Sequence, residues 1–326
     1  MDAAKGSVII PIISAMGGVG KTTVSLMLAY KAVRDGLNTL ILDLDPTAGL
    51  TLRVFGDIGY QALLEQGKTL MNLIKQFNKG AKVNLTDHAT LMGYARGYGI
   101  DVMAEFNEVK VLAPGEEFEE FFAERQYMDV GNIIWNILDK AGVNQFNVVI
   151  VDTAPFFDRR YTLIAVRRAS KAVVVVRPIV TDIMRTERMI KKLMNFFQEE
   201  DRQPPKFIIV FNFDPQRLAR EATTVIKSLG IRVFKGEVGE GSKPSFRAVQ
   251  GEGSRMLERR LRDFISNFKD YVEFSRYAIP YFKAFGDDFP HESIKKSDVM
   301  HLELAMNQIM RFYGLEGESP YEEEEE

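Results

Sequence analysis

The chain has 326 residues, 46% hydrophobic and 27% charged, with no cysteine, the makeup of an ordinary soluble globular protein. This composition excludes disulfides, iron–sulfur clusters and CxxC metal sites; no apolar run approaches the roughly 18 residues a membrane helix needs, and no signal-peptide design opens the chain, so a cytoplasmic location is expected. The net charge of −3 hides an uneven distribution: residues 1–154 sum to −5, residues 155–262 to +11 and residues 263–326 to −9, which makes the middle segment the candidate face for a polyanion.

In chain order, the β-branched run Val8-Ile9-Ile10-Pro11-Ile12-Ile13 predicts a strand. It leads into Ser14-Ala15-Met16-Gly17-Gly18-Val19-Gly20-Lys21-Thr22-Thr23, and the helical pattern from Val24 to Tyr30 follows. Strand, glycine loop and helix form the context in which GxxxxGK[ST] binds phosphate. Glycines let successive backbone N–H groups face an anion, and the helix N-terminus adds its dipole. Here Ala15 replaces the first glycine of that pattern, and Gly17-Gly18 sit inside the loop. Asn38–Asp43 is a second strand, ending in Asp43-Leu44-Asp45-Pro46. Leu63, Leu64, Leu70, Leu73, Ile74 and Phe77 recur at helical spacing, predicting one helix over 62–78. A glycine-rich stretch follows, and residues from about 56 to 105 read as an insertion. Further strands are expected at Val109–Ala113, Val148–Asp152, Ala172–Val176, Phe207–Phe211 and Arg232–Phe234. Helices are expected over 118–140, 184–199, 215–229 and 253–269.

The alternation predicts an α/β fold, a doubly wound, mostly parallel sheet with helices on both faces, over residues 1–269. Beyond Asp270 the pattern turns to aromatic-rich segments, Tyr277–Phe285 and Val299–Tyr313, read as a helical extension over 270–315. The glutamate run then closes an acidic tail over 316–326, read as disordered.

The string Gly17-Gly18-Val19-Gly20-Lys21-Thr22-Thr23 resembles the deviant Walker A box of the ParA/MinD family of P-loop ATPases, and most closely the ParA-type partition ATPases. The resemblance implies that Gly17, Gly18, Val19, Gly20, Lys21, Thr22 and Thr23 bind ATP, with Thr22 on Mg²⁺. It also implies a lysine at position 16 that reaches across a nucleotide-sandwich dimer, and this chain has Met16 there. Asp43-Leu44-Asp45-Pro46-Thr47-Ala48-Gly49-Leu50-Thr51 is similar to the family's switch I, usually DxDPQxN, with Thr47 and Gly49 in place of its glutamine and asparagine. Asp45 is then the residue that orients the attacking water. Asp152, ending a β-branched run, matches the acid that holds Mg²⁺. Asn212 and Asp214 match the adenine side of the pocket. Matching motifs run from about Ser7 to Arg262.

The same resemblance implies a Mg-dependent ATP hydrolase, slow because of the switch I changes. It would act as a homodimer that holds double-stranded DNA non-specifically and answers to a ParB-like or cargo adaptor protein. Arg217, Arg220, Arg247, Arg255, Arg259, Arg260 and Arg262 are the candidate DNA contacts. Arg159 and Arg160, seven and eight residues past Asp152, are candidates for the cation that Met16 does not supply. A protein-cargo ATPase and a non-hydrolysing nucleotide-binding scaffold are the alternatives. A tail of glutamates has the wrong sign for an anionic membrane, so no membrane partner is expected.

Overall fold

The computed structural model describes residues 6–92, 109–123, 127–212, 230–231, 252–279 and 296–315. The chain divides into two compact units, one of Met1–Ile13, Gly20–Ala172 and Ala284–Ser293, the other of Ser14–Val19, Val173–Lys283 and Ile294–Glu326. The strands make an eight-stranded, mostly parallel sheet, the α/β architecture expected from the sequence.

In the first unit the strands are β1 (Val8–Ile13), β2 (Thr39–Leu44), β3 (Thr90–Leu91), β4 (Val109–Leu112) and β5 (Val148–Thr153). Their order is β3-β4-β2-β5-β1, all parallel except the β3–β4 pair. Every residue of β2 and β5 is buried, as expected of a parallel sheet covered on both faces. The helices are α1 (Lys21–Arg34), α2 (Gly49–Glu65), α3 (Leu70–Asn78), the single turn α4 (Leu85–His88), α5 (Phe118–Ala123), α6 (Tyr127–Lys140) and α7 (Arg159–Val166). A core of leucine, isoleucine and valine from β2, α3, α6 and β5 closes around Trp135, whose indole N–H donates to the carbonyl of Ile164 at 2.8 Å.

The helix predicted over 62–78 is two helices. Gly67 turns the chain left-handed (φ 66°) after α2, and the Thr69 hydroxyl accepts the Asn72 N–H at 3.2 Å to start α3. The hydrophobic spacing survives that break because Leu63 before it and Leu70, Leu73 and Ile74 after it are all buried, while a glycine and an N-cap threonine reset the backbone between them. Over the stretch expected as one helix, 118–140, the described residues form α5 and α6, and residues 124–126 lie outside the described residues. The strand β3 falls inside the segment read as an insertion.

In the second unit β6 (Lys171–Val176), β7 (Lys206–Phe211) and β8 (Val272–Phe274) follow one another in the sheet, with α8 (Val180–Glu199), α9 (Glu252–Phe268) and α10 (Lys296–Phe312). A helix is predicted from Tyr277, but Tyr277–Ile279 is extended: the Ile279 N–H donates to the Phe211 carbonyl at 2.8 Å, after Ser275 has done the same to Ile209. Residues after Asp270 thus enter the sheet beside β7, because Phe274 packs on Phe211 and Phe264. The strand is only three residues long, too short for its alternation to register in the sequence. The Gln308 side-chain carbonyl, on α10, accepts the Ser275 hydroxyl and the N–H of Arg276, which fixes the C-terminal helix to this corner.

Candidate functional site

The sheet order β2-β5-β1 brings the chemistry of the first unit together. Ile12 pairs with Asp152 across β1–β5, and Asp43 pairs with Asp152 across β2–β5. Both carboxylates therefore stand side by side at the C-terminal ends of neighbouring strands, where the loop leaves β1, and neither is measurably exposed. Ligands of open α/β sheets bind at such ends.

The loop itself needs its glycines. Gly18 and Gly20 have φ of 67° and 92°, the left-handed region that an L side chain enters only at a cost. Gly17 and Gly18 are exposed, while Val19 anchors the loop from beneath. Gly20 caps α1 without any side-chain hydrogen bond, so the first N–H groups of a fourteen-residue helix are left for a ligand.

Lys21 opens α1 and is 7% exposed. Burial pulls its ammonium below the ordinary lysine range, and the charges of Asp152 and Asp45 oppose that shift. Thr22 and Ser25, three apart and so on one face of α1, each donate a hydroxyl to Asp152, at 2.9 and 2.8 Å. Burial still pushes the Asp152 carboxyl up to about 6, against the pull of Lys21 and the two hydroxyls. Asp43 is pushed up to about 7, by burial first and by Asp152 beside it second, although the Thr51 N–H and hydroxyl donate to it at 3.0 and 2.7 Å. Two adjacent buried acids with raised pKa are a site that lacks positive charge.

The donors that converge here, one hydroxyl and one carboxylate beside a phosphate-type loop, suit Mg²⁺. That ion takes hard oxygen ligands and binds through one or two carboxylates plus the phosphates of its nucleotide. Sequence patterns place Asp43 at the head of the switch I stretch without giving it a role, and they do not single out Ser25 or Thr51. The signal for Asp43 is its position at a strand end, but only the register shows that it faces Asp152.

Asp45 is half-exposed, at the turn that leads into α2. Its Oδ1 accepts both the Thr47 N–H (3.0 Å) and the Thr47 hydroxyl (2.7 Å), an Asx turn that Ala48 continues with a left-handed φ of 53°. The hydroxyl of Thr23 accepts from Arg53 of α2 at 3.0 Å. Arg160 is engaged by Asp158, the N-cap of α7, through Nε at 2.8 Å, and Arg159 is exposed at the first turn of the same helix.

Among the described residues of the second unit, the Asn212 and Arg185 side chains contact the loop segment Ser14–Val19. The Asn212 side-chain amide, just past β7, donates to the Val19 carbonyl at 2.7 Å. Arg185 of α8 places Nη1 against the Met16 sulfur, a contact no sequence pattern announces. On α9, Leu257, Leu261, Phe264 and Phe268 are buried, while Arg255, Arg259 and Arg262 are exposed at i, i+4 and i+7 and Arg260 is half-buried. Arg262 is paired with Glu258 at 2.7 Å. Asp214, Arg217, Arg220 and Arg247 lie outside the described residues, as do the strand expected at 232–234, the helix expected over 215–229 and the acidic tail. No helix among the described residues is long and apolar enough to cross a membrane.

Residues 10–252 match the family model described as the CobQ/CobB/MinD/ParA nucleotide binding domain. Similar solved structures include a plasmid partition protein from Borrelia burgdorferi B31 bound to AMPPNP, 14% identical with TM-score 0.61, covering 94% of this chain and 100% of that one. A point variant of McdA from Cyanothece, in complex with ATP, is 12% identical with TM-score 0.62, covering 97% of this chain and 99% of that one. The pNOB8 ParA bound to nonspecific DNA is 15% identical with TM-score 0.56, covering 95% of this chain and 100% of that one. Among curated proteins, MJECL24 of Methanocaldococcus jannaschii, itself uncharacterized, is 43% identical over 49 residues, which is 15% of this chain and only 19% of that protein. A glycine loop opening a helix, an acid on the neighbouring strand and a family model that spans three-quarters of the sequence agree, and the chain belongs to the CobQ/CobB/MinD/ParA nucleotide-binding family of P-loop ATPases.

Proposed function

We propose that this protein binds MgATP, hydrolyses it slowly, and uses nucleotide-dependent homodimerisation to hold double-stranded DNA non-specifically, so as to segregate or position DNA. The observation that carries the nucleotide half is the cluster of Lys21, Thr22 and Ser25 against Asp152, with Asp43 beside it, at the foot of the glycine loop. The N–H groups of Gly17 to Thr22 bind phosphate oxygens, and Lys21 meets the β- and γ-phosphates. Thr22 and Asp152 would hold Mg²⁺. When bound, the ion neutralises charge on the phosphate oxygens that the reaction exposes. Asp45 orients the water: Thr47 occupies Oδ1 and leaves Oδ2 to accept a proton from a nucleophile in line with the γ-phosphate. Asn212, already tied to the loop, lies on the adenine side.

Support for the DNA half is the row of exposed arginines on α9 and the net charge of +11 over 155–262, together with a neighbour solved on nonspecific DNA. A ParB-like or cargo adaptor protein would stimulate hydrolysis and end the DNA-bound state. Sedimentation with and without ATP, repeated with duplex DNA over a salt series, tests the whole reading. Dimers should appear with ATP, and DNA retention should fall steeply with salt. Replacing Arg255, Arg259 and Arg262 together by alanine should flatten the log–log salt slope by about 2 to 3, each phosphate contact contributing about 0.9. Arg262 should account for the smallest share, since Glu258 already neutralises part of its charge. ATP-dependent dimers that ignore DNA at low salt would leave a protein cargo as the function. An unchanged slope in the triple variant would clear α9 of the DNA contact.

A further inference from the structure

Arg185 sits on the second turn of α8 with an exposed side chain, and its one recorded partner among the described residues is the Met16 thioether. Other arginines of the molecule are held by acids: Arg160 by Asp158, Arg168 by Asp139, Arg177 by Asp182, Arg262 by Glu258. A thioether is a weak acceptor and carries no charge, so it holds a guanidinium far less firmly than a carboxylate does. Met16 immediately precedes Gly17 and Gly18, whose exposed backbone belongs to the stretch of the loop built to meet an anion. Its carbonyl is fixed by the buried Ser14 hydroxyl at 2.6 Å, so the residue that Arg185 touches is itself held in place. A planar guanidinium with five donors, resting on a neutral residue at the rim of a phosphate loop, is matched to the paired oxygens of a terminal phosphate.

We infer that Arg185 is a second phosphate-directed cation of the loop, one that leaves Met16 for the terminal phosphate of a bound nucleoside triphosphate. Lys21 is buried at the start of α1 and serves any nucleotide with a β-phosphate. Arg185 approaches from the residue that opens the loop and distinguishes a triphosphate from a diphosphate. This inference rests on the nucleotide-binding reading above and adds the residue that tells the two nucleotides apart.

Equilibrium binding of a fluorescent non-hydrolysable ATP analogue and of the matching ADP analogue, each with Mg²⁺, tests it in wild type, Arg185→Ala and Arg185→Lys. Wild type should prefer the triphosphate. Arg185→Ala should weaken triphosphate binding about 10- to 100-fold, the worth of a charge-assisted contact, and diphosphate binding less than about threefold. Arg185→Lys should fall between the two. Removal of an exposed side chain whose recorded partner is a thioether should leave the melting temperature unchanged, which separates a lost contact from a lost fold. A triphosphate-to-diphosphate ratio in Arg185→Ala equal to wild type overturns the inference alone. Wild type that binds neither nucleotide overturns the nucleotide reading with it.

Discussion

Lys21→Met is expected to weaken MgATP binding by about 10²- to 10⁴-fold and to abolish turnover, with the fold intact. The magnitude follows from two charge-assisted contacts to phosphate, each contributing about 1.5–3 kcal/mol in a site shielded from water. Methionine keeps the length and the apolar stem of the buried lysine, so the free protein should lose or gain less than about 1.5 kcal/mol. The nucleotide-free lysine is no great asset to stability, since burial already pulls its pKa down and only Asp152 and Asp45 hold the charge there. Calorimetric titration with MgATP, alongside thermal melts of both proteins, separates binding from folding. MgATP affinity within about threefold of wild type would remove Lys21 from the phosphate site.

Asp152→Asn should move function and stability in opposite directions. The folded protein holds protons on Asp152 and Asp43, pushed up to about 6 and about 7, that the unfolded chain releases near 3.8. Groups with raised folded pKa contribute stability that is fully present below about pH 4 and is lost as pH rises through about 6 to 7. Without nucleotide, the wild type should therefore melt at a higher temperature at about pH 5 than at about pH 8, as far as these two acids decide it. Asparagine is neutral throughout and can still meet the Thr22 and Ser25 hydroxyls, which rotate to donate or accept. At about pH 8 the variant should be more stable than wild type by roughly 1–3 kcal/mol, while losing the gain in ATP affinity that magnesium confers. A variant that melts below wild type at that pH would contradict the cost assigned to the buried carboxylate. Equal magnesium dependence in both proteins would take Asp152 out of metal binding. For the wild type, the same protons should be displaced when MgATP enters, so binding near neutrality should release protons and strengthen with rising pH.

The glycine loop could be read directly because its function is local. Gly18 and Gly20 have backbone angles that only glycine takes easily, and Lys21 follows at fixed chain distance, so ten consecutive residues carry the geometry with them. The strands could be read for a similar reason: β2 and β5 are buried on both faces and appear as unbroken apolar runs. Helix breaks were harder. Apolar spacing continued from Leu63 to Phe77 through the turn at Gly67, since the core asks both helices for the same face whether or not the backbone between them is helical. The short strand Val272–Phe274 left no periodic trace at all, and its place beside β7 follows from ring packing against Phe211 and Phe264.

By itself the sequence determined a phosphate loop between strand and helix, an acid at the end of each of two further strands, and a basic middle segment between acidic flanks. These are contiguous features, set by backbone propensity and composition. Only the tertiary structure decided which groups meet. Placing β5 between β1 and β2 makes Asp43 and Asp152 neighbours, more than a hundred residues apart in sequence, and their mutual repulsion in a buried site is what calls for a cation. The packing of α8 likewise puts Arg185 on Met16, a loop position where the sequence gives no hint of what comes to cover it.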